Sequence, residues 1–417
     1  MPERGQLGKP ISRRGLLKRA GILGVTGPAL ALSRPATARP AREPILAYVG
    51  TYSSPQGPEG SAGRGQGIYL FEMNPATGVL TQREVFSNPD NPAWLALDTS
   101  RTHLYSANAI QTHEGLRSGS VSAYSLEKSS GRLTLLNTVS SQGAGPCYLS
   151  LHPSGRHALV ANYHGGTVAV LPILANGALG AATDIQHNPT AIGPTHATSA
   201  PPGSFAISGH DHSHAHMVLP DPTGRFVLTS DLGTDQILIW KFDAENGKLF
   251  ANDPPAVALP PGDGPRHFAF HPDGRWLYSL QEEGSTLQIF DFDPTRGSLT
   301  ARQAISTLPA GFAGTNFTSE VVVSPHGRFV YAANRLHDSI AWFAVREGGS
   351  LSYGGEEWTR GDYPRSFTID PTGSFLYSCN QRSDAITTFR ISRQSGGLTF
   401  TGQYTPVGTP AIVLFLT

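Results

Sequence analysis

The sequence predicts an all-β protein, a seven-bladed β-propeller with four antiparallel strands per blade and a ring closed by the N- and C-terminal strands in one blade. Three observations predict this fold. A strand–turn–strand pattern recurs at intervals of roughly 50 residues, the spacing of propeller blades. A Gly-x-Leu signal follows each copy. The chain of 417 residues also contains 47 Gly and 33 Pro but only 15% charged residues, which is typical of turn-rich β proteins.

The turn and the second strand of the repeat occur six times. They read DTSRTHLYSAN from Asp98, HPSGRHALVAN from His152, DPTGRFVLTSD from Asp221, HPDGRWLYSLQ from His271, SPHGRFVYAAN from Ser324 and DPTGSFLYSCN from Asp370. The first strand occurs seven times, as NPAWLAL, GPCYLSL, AHMVL, GPRHFAF, SEVVV, YPRSFTI and TPAIVLF. The missing second strand is ILAYVGTY from Ile45, which we expect to pair with the C-terminal AIVLFLT and so close the ring.

The Gly-x-Leu signal completes each blade. It occurs as TGVL, SGRL, NGAL, NGKL, RGSL, GGSL and GGLT, and we expect it in the turn between the third and fourth strands. The first-to-second and third-to-fourth turns of a meander fall on one face of the disc. The starts of the first strands and the ends of the second strands then surround one mouth of the central channel. His152 and His271 lie on the turn face and are interpreted as turn residues.

The N-terminal segment has the pattern of a twin-arginine signal peptide. Arg13 and Arg14 precede a mildly apolar stretch and the small-residue site Ala36-Thr37-Ala38. We therefore predict two regions, a signal peptide with a short linker over residues 1–42 and a propeller over residues 43–417. The pattern predicts export through the twin-arginine (Tat) machinery to the periplasm or medium; the alternative is a disordered basic tail. The apolar stretch is too short to span a bilayer.

The composition argues against two classes of function. Lys+Arg and Asp+Glu are both 31, so the formal net charge is zero and no nucleic-acid partner is expected. Cys147 and Cys379 are the two cysteines, and no CxxC occurs. A disulfide scaffold or a metal–thiolate site is therefore not predicted.

The predicted channel mouth collects charged and polar side chains. The ends of the second strands offer Asn108, Asn162, Tyr163, Asp231, Glu282, Asn334, Arg335, His337, Asp338, Asn380, Gln381 and Arg382, and the starts of the first strands offer His214, His216, Arg266, His267, Glu320 and Arg365. Turn chemistry does not require arginine or histidine there. Converging guanidinium groups are suited to an anionic, oxygen-rich small molecule, and a carboxylate among them is a candidate acid or base. The alternative is that Arg and Glu pair with each other to plug the channel.

The stretch GHDHSHAHMVL has histidines at alternating positions, His210, His212, His214 and His216. An extended strand would place all four on one face, a spacing that could hold zinc or copper. The long loop that precedes these histidines is poor pre-organisation for a metal ion, so we predict no metal site. Instead, His214 or His216 is expected to face the mouth for hydrogen bonding or proton transfer.

Several stretches resemble the lactonase family of seven-bladed propellers, which includes bacterial 6-phosphogluconolactonase and fungal carboxymuconate cycloisomerase. They are YVGTY, PRHFAFHPDGRWLYSLQE, GRFVYAANRLHDSIAWF and YPRSFTIDPTGSFLYSCNQRSD, and the resemblance extends over essentially all the chain after the signal peptide. It implies a metal-independent site at the channel mouth, built here from His214 or His216, Arg266, Glu282, Arg335 and Arg365. One departure is Gln281-Glu282-Glu283, where relatives often have Asn-Glu-Leu.

Together these observations lead us to expect a monomeric, cofactor-free hydrolase that opens sugar lactones outside the cytoplasm. A lactone or sugar acid is the expected partner. The expected catalytic residues are Glu282, His214, His216 and Arg266, and the expected substrate-binding residues are Arg335, Arg365, His267, Asn334, His337 and Gln381. Two alternatives remain open, a lactonising cycloisomerase that uses the same groups and a propeller that binds a ligand or partner without catalysis.

Overall fold

Seven antiparallel sheets of four strands each make up the part of the chain that the computed structural model describes, residues 44–55, 57, 62–188, 191–207 and 209–416. The predicted signal peptide lies outside the described residues. No helix among those residues is long and apolar enough to span a membrane.

The strands follow one another regularly along the chain. Blade 1 contains β1 (Ile45–Thr51), β2 (Gly67–Met73) and β3 (Leu80–Ser87); blade 2 contains β4 (Pro92–Leu97), β5 (His103–Asn108), β6 (Ser120–Glu127) and β7 (Arg132–Ser140); blade 3 contains β8 (Pro146–Leu151), β9 (His157–Asn162), β10 (Thr167–Pro172) and β11 (Asp184–His187). Blade 4 contains β12 (Ala215–Pro220), β13 (Phe226–Asp231), β14 (Gln236–Asp243) and β15 (Lys248–Ala258); blade 5 contains β16 (Pro265–Phe270), β17 (Trp276–Gln281), β18 (Thr286–Asp293) and β19 (Ser298–Ser306). Blade 6 contains β20 (Thr318–Val323), β21 (Phe329–Asn334), β22 (Ser339–Val345) and β23 (Leu351–Trp358); blade 7 contains β24 (Pro364–Ile369), β25 (Phe375–Asn380), β26 (Ala385–Ile391) and β27 (Leu398–Pro406); β28 (Pro410–Phe415) returns to blade 1. A short 3-10 helix covers Glu347–Gly349 in blade 6.

The ring closes as the sequence predicted. The sheet order of blade 1 is β28-β1-β2-β3, so the C-terminal strand takes the innermost place beside β1. Its register pairs Ala47 with Phe415 and Gly50 with Ile412. The innermost strands of neighbouring blades contact one another around the whole ring, from β4 through β28 and back to β4. The seven-bladed propeller, with four antiparallel strands per blade, is therefore confirmed.

The Gly-x-Leu signal marks a seam between blades. All seven of its glycines have a left-handed backbone, with φ between 63° and 84°, which a residue with a side chain rarely adopts. A Cβ at six of these glycines would collide with the first residue of the second strand in the preceding blade. At Gly131 it would collide with Leu46 and Leu70 of the preceding blade. The glycines are Gly78, Gly131, Gly177, Gly247, Gly297, Gly349 and Gly396.

The carbonyl of each seam glycine accepts a hydrogen bond from the preceding blade. In five blades the donor is a buried tyrosine hydroxyl from the second strand, as in Tyr331 Oη to Gly396 O at 2.8 Å. Leucine replaces that tyrosine in blades 3 and 4, and other side chains supply the bond. Thr183 Oγ1 donates to Gly247 O at 2.8 Å, and Asn252 Nδ2 donates to Gly297 O at 3.2 Å. The repeated glycine is therefore required by packing between blades as well as by its turn.

Two adjacent glycines separate these two requirements. Gly348 and Gly349 both have positive φ (72° and 78°), but a Cβ at Gly348 meets nothing within 4 Å, whereas one at Gly349 would overlap the indole of Trp276. We expect Gly348→Ala to lower the free energy of unfolding by about 1–2 kcal/mol through backbone strain. Gly349→Ala should cost about 1–3 kcal/mol more, because the indole must move. Denaturant titration of both variants measures the difference. Equal losses of unfolding free energy would contradict the packing role of Gly349 between the blades.

Candidate active site

A β-bulge opens the innermost strand of every blade. The pairing register shifts by one residue there, for example between Pro364 and Ser366 in blade 7 and between Pro265 and Phe268 in blade 5. A bulge leaves a residue out of the ladder and changes the direction of its side chain. The displaced residues are Ala93, Cys147, His216, Arg266 with His267, Ser319 with Glu320, Arg365 and Ala411.

A second ring of positions comes from the residue that follows each second strand. These residues are Tyr52, Ala109, Tyr163, Leu232, Glu282, Arg335 and Gln381. Members of both rings line a cavity of about 890 Å³. Cys147, His216 and Arg365 reach it from the bulges, and Tyr163, Glu282 and Arg335 are among those that reach it from the second-strand ends. Residues from both sets of positions therefore meet at one cavity, although only some members of each set line it.

Glu282 lies between two arginines at this cavity. Its Oε2 atom is 2.9 Å from Nε of Arg266 and 2.7 Å from Nη2 of Arg335. Arg266 is buried and also donates to the carbonyl of Ser319 in the next blade. Burial, together with the charges of Arg365 and Arg335, lowers the pKa of Arg266 to about 10, so it remains a cation at neutral pH. The structure has features of both interpretations of these residues. Arginine and glutamate form ion pairs with each other, and a cavity remains beside them.

The charged groups around the cavity are mostly cationic. Its described lining residues include three arginines, Arg335, Arg365 and Arg382, and one carboxylate, Glu282. Aromatic rings hold the guanidinium groups in place. Arg382 lies 3.7 Å from the Tyr363 ring centroid, and Arg365 lies 5.6 Å from that of Tyr52. The cavity is therefore suited to an anionic ligand.

His216 occupies the bulge of blade 4 and lines the cavity. Burial, reinforced by Arg266 and other nearby cations, holds the pKa of His216 well below its usual range. Its Nδ1 lies 3.8 Å from Sγ of Cys147, and burial raises the pKa of that thiol to about 12. Both groups are therefore neutral at physiological pH, and the thiol is not an activated nucleophile.

His267 is buried away from the cavity lining. It donates from Nδ1 to Glu320 Oε1 at 3.0 Å, and its ring is packed edge-on against Trp94 and Tyr148. The ring of His216 lies 5.0 Å from it. His267 therefore packs against His216. It is not among the described residues that line the cavity, although the sequence analysis expected it to bind substrate.

Three other predicted binding residues are not among the described residues that line the cavity. Asn334 is fully buried and uses its amide within the ends of its blade, donating to Thr307 O at 3.0 Å and to Ser339 Oγ at 3.2 Å. The backbone of Gln381 bonds to Tyr363 O, and its side chain is buried outside the described cavity lining. His337 is half-buried and bonds to Ser339 Oγ at 2.8 Å.

The predicted single-faced row of four histidines is wrong. β12 begins at Ala215, so only His216 belongs to a strand. His210 is buried, with Nε2 3.3 Å from Asp235 Oδ1. His214, a predicted catalytic residue, is packed behind Tyr163 and bonds to Tyr163 O and Asp211. Among the described residues, the ligand atoms of Asp211, His212 and His214 lie within 4.8 Å of one another, as metal ligands do.

Some lining residues were missed from the sequence. Cys147 was considered only for a disulfide or a metal–thiolate site, and both cysteines are free. Its place in GPCYLSL matches that of Arg266 in GPRHFAF, so the repeat alignment already placed it at the mouth. Phe317 and Ile207 lie in connections between blades, outside any repeat, and no sequence signal identified them. Tyr363 begins the repeat copy YPRSFTI but was not among the predicted site residues.

The chain is similar to known proteins over most of its length. The family described as "Lactonase, 7-bladed beta-propeller" matches residues 46–415. A 6-phosphogluconolactonase of Bacillus subtilis (strain 168) is 33% identical over 373 residues, which are 89% of this chain and 98% of the relative. A 6-phosphogluconolactonase of Serratia proteamaculans (strain 568) is 29% identical, covering 82% of this chain and 93% of the relative.

A solved structure gives the same picture. The periplasmic gluconolactonase of Pseudomonas aeruginosa is 29% identical to this chain and superimposes with a TM-score of 0.79, over 90% of this chain and 99% of that one. The family match, over residues 46–415, extends from β1 to β28 and so includes all seven blades. The chain belongs to the lactonase family of seven-bladed β-propellers.

Proposed function

We propose that the chain hydrolyses a sugar lactone, as a 6-phosphogluconolactonase does, in the cavity at the channel mouth. The observation that carries this proposal is that three arginines and one carboxylate are among the described residues that line a single cavity. Its volume of about 890 Å³ leaves room for a phosphorylated sugar acid, since pockets for small ligands span about 300–1,000 Å³. A single chain closes the ring and supplies all the described residues that line the cavity.

The arginines provide charge for binding and for the transition state. Arg365 and Arg382 pair with the phosphate or another acidic group of the substrate, because guanidinium groups match such anions with two hydrogen bonds. Arg335 donates to the carbonyl oxygen, whose negative charge grows as the tetrahedral intermediate forms. Its packing against the rings of Phe317 and Tyr363, 5.5 and 5.2 Å away, fixes the guanidinium before substrate binds.

Glu282 is the proposed acceptor for the proton of the attacking water. Water adds to the lactone carbonyl carbon while Glu282 takes its proton, and the bond from that carbon to the ring oxygen then breaks. The ring oxygen receives the proton and becomes the hydroxyl of the product acid. Arg266 positions Glu282 through its ion pair. His216 offers a neutral nitrogen for hydrogen bonding to the substrate.

The test of function is acid release from lactones, followed by pH-stat titration. We expect the protein to accelerate hydrolysis of glucono-lactone, its 6-phosphate or both. The Arg365→Ala variant should lose more affinity for the phosphate ester than for the uncharged lactone. If neither lactone is consumed while a muconate loses its ultraviolet absorbance, the protein is a cycloisomerase. A thermal shift with a sugar acid but no turnover would indicate a binding protein.

The roles of the adjacent glutamates can be separated by one matched pair of variants. Glu283 is buried against His210, with Oε1 3.7 Å from its Nδ1, and does not appear among the described cavity-lining residues. Glu282→Gln should lower kcat by about 10²–10⁴-fold, the usual contribution of a general base. Glu283→Gln should lower the melting temperature but keep kcat, when both variants are assayed well below their melting points. A dead Glu283→Gln beside an active Glu282→Gln would refute this assignment.

We also propose export by the twin-arginine route into the periplasm or medium. Arg13 and Arg14 support it, as does the similarity to a protein described as a periplasmic gluconolactonase. Changing both residues to Lys should retain the full-length precursor in the cytoplasm, whereas Arg19→Lys, outside the pair, should leave export unchanged. Cell fractionation with immunoblotting measures this. Normal export of the double variant would refute the twin-arginine assignment.

A further inference from the structure

The connection between blades 3 and 4 ends in three residues with metal-binding side chains. We propose that Asp211, His212 and His214 bind a divalent transition-metal ion, of which Zn²⁺ is the representative. Two imidazoles and one carboxylate are ligands that Zn²⁺ commonly takes. No thiolate lies in the group, so a site for soft Cu(I) does not fit. The proposal is independent of the lactone chemistry, because none of the three residues is among the described residues that line the cavity.

The donor atoms converge on a single carboxylate. Nε2 of His214 lies 2.7 Å from Asp211 Oδ1, and Nδ1 of His212 lies 3.0 Å from Asp211 Oδ2. The two imidazole rings are 3.9 Å apart, centroid to centroid. One ligand atom from each residue lies within 4.8 Å of the others, as the ligands of one ion must.

The opposite nitrogen of each imidazole faces a backbone carbonyl. Nδ1 of His214 lies 2.9 Å from Tyr163 O, and Nε2 of His212 lies 3.3 Å from His164 O. Metal-binding histidines almost always donate their second N–H to such an acceptor, which fixes the tautomer and turns the other nitrogen to the metal. This outer shell is present for both histidines and is provided by two consecutive residues of one turn.

Hydrogen bonding alone does not account for these contacts with neutral rings. A neutral imidazole has one N–H, but each ring here has an acceptor at both nitrogens, a carbonyl on one side and a carboxylate on the other. Satisfying all four contacts with protons would require two adjacent imidazolium ions. A metal ion at the carboxylate side removes that requirement, because the facing nitrogens then contribute lone pairs.

The site combines a fixed wall with an open side. The side chain of His214 is only 4% exposed and its ring is packed 4.2 Å from that of Tyr163, whereas the side chain of Asp211 is 76% exposed. An ion can therefore enter from solvent and keep water as a further ligand. Because Tyr163 lines the cavity, a bound ion would tie the end of the connection to the cavity wall.

Titration of the full chain with Zn²⁺ alone tests the proposal. After treatment with a chelator and dialysis, calorimetry should give one ion per chain, and Co²⁺ should give visible d–d absorption that Zn²⁺ displaces. Asp211→Ala and His212→Ala should each weaken binding by at least the roughly 10–100-fold that changes in the outer shell alone cost. Both side chains are exposed enough for the variants to fold, which circular dichroism verifies.

His326→Ala is the matched control, since His326 is an exposed histidine in a first-to-second-strand turn, on the face opposite the site. It should bind Zn²⁺ as tightly as the unchanged protein. Zn²⁺ should also raise the melting temperature of the unchanged chain and of His326→Ala but not of Asp211→Ala. Binding that survives Asp211→Ala and His212→Ala, or no binding by the unchanged chain, would overturn the proposal.

Discussion

The site depends on a bulge at the start of each innermost strand. In a regular strand, alternate side chains would point into the sheet-to-sheet packing, and none would be available at the channel mouth without breaking the core pattern. The extra residue in each blade resolves this conflict, because it leaves the ladder while the rest of the strand stays in register. His216, Arg266 and Arg365 all occupy such positions, which explains how three strongly polar side chains begin strands that are otherwise buried.

The charge distribution in the channel follows from how deep each bulge residue lies. Arg266 is almost fully buried and must be paired, because removing the partner of a buried charge costs about 3–5 kcal/mol. Glu282 provides that pairing and also connects to Arg335, so a buried structural cation is coupled to one at the cavity wall. Arg365 remains partly exposed and is packed on an aromatic ring. Arg266, Glu282 and Arg335 thus form one set of ion pairs that extends from the buried interior to the cavity wall.

Much of the architecture could be predicted from the sequence because each blade repeats the same physical solution. Strand order and ring closure follow from the repeat. Of the predicted site residues, His216, Glu282, Arg335 and Arg365 line the cavity, whereas Arg266 is buried beside Glu282 and is not among the described lining residues. Asn334 shows a limit of the interpretation. Asparagine occupies the same position in Asn108, Asn162 and Asn380, which indicates a turn function common to the blades rather than a ligand contact.

The connection that carries Asp211 could not be predicted, because it has no counterpart in the other blades. Its described residues bond to several distant turns, including Thr198 to Pro261 and Phe205 to Thr315. Such contacts depend on the assembled ring and leave no periodic pattern in the chain. The assumption that this segment is poorly organised followed from its composition alone, and the contacts of its described residues do not support it.

The seam glycines lie on the face of the disc opposite the cavity, and this separation has a consequence for how the protein can change. The hydrogen bonds to the seam glycines do not involve the bulge residues, whose identities in the seven blades range from Ala93 to Arg365. A substitution at one bulge therefore alters one sector of the ring and leaves all seven seam-glycine bonds intact. The protein can change its cavity wall one sector at a time while this set of inter-blade bonds stays the same.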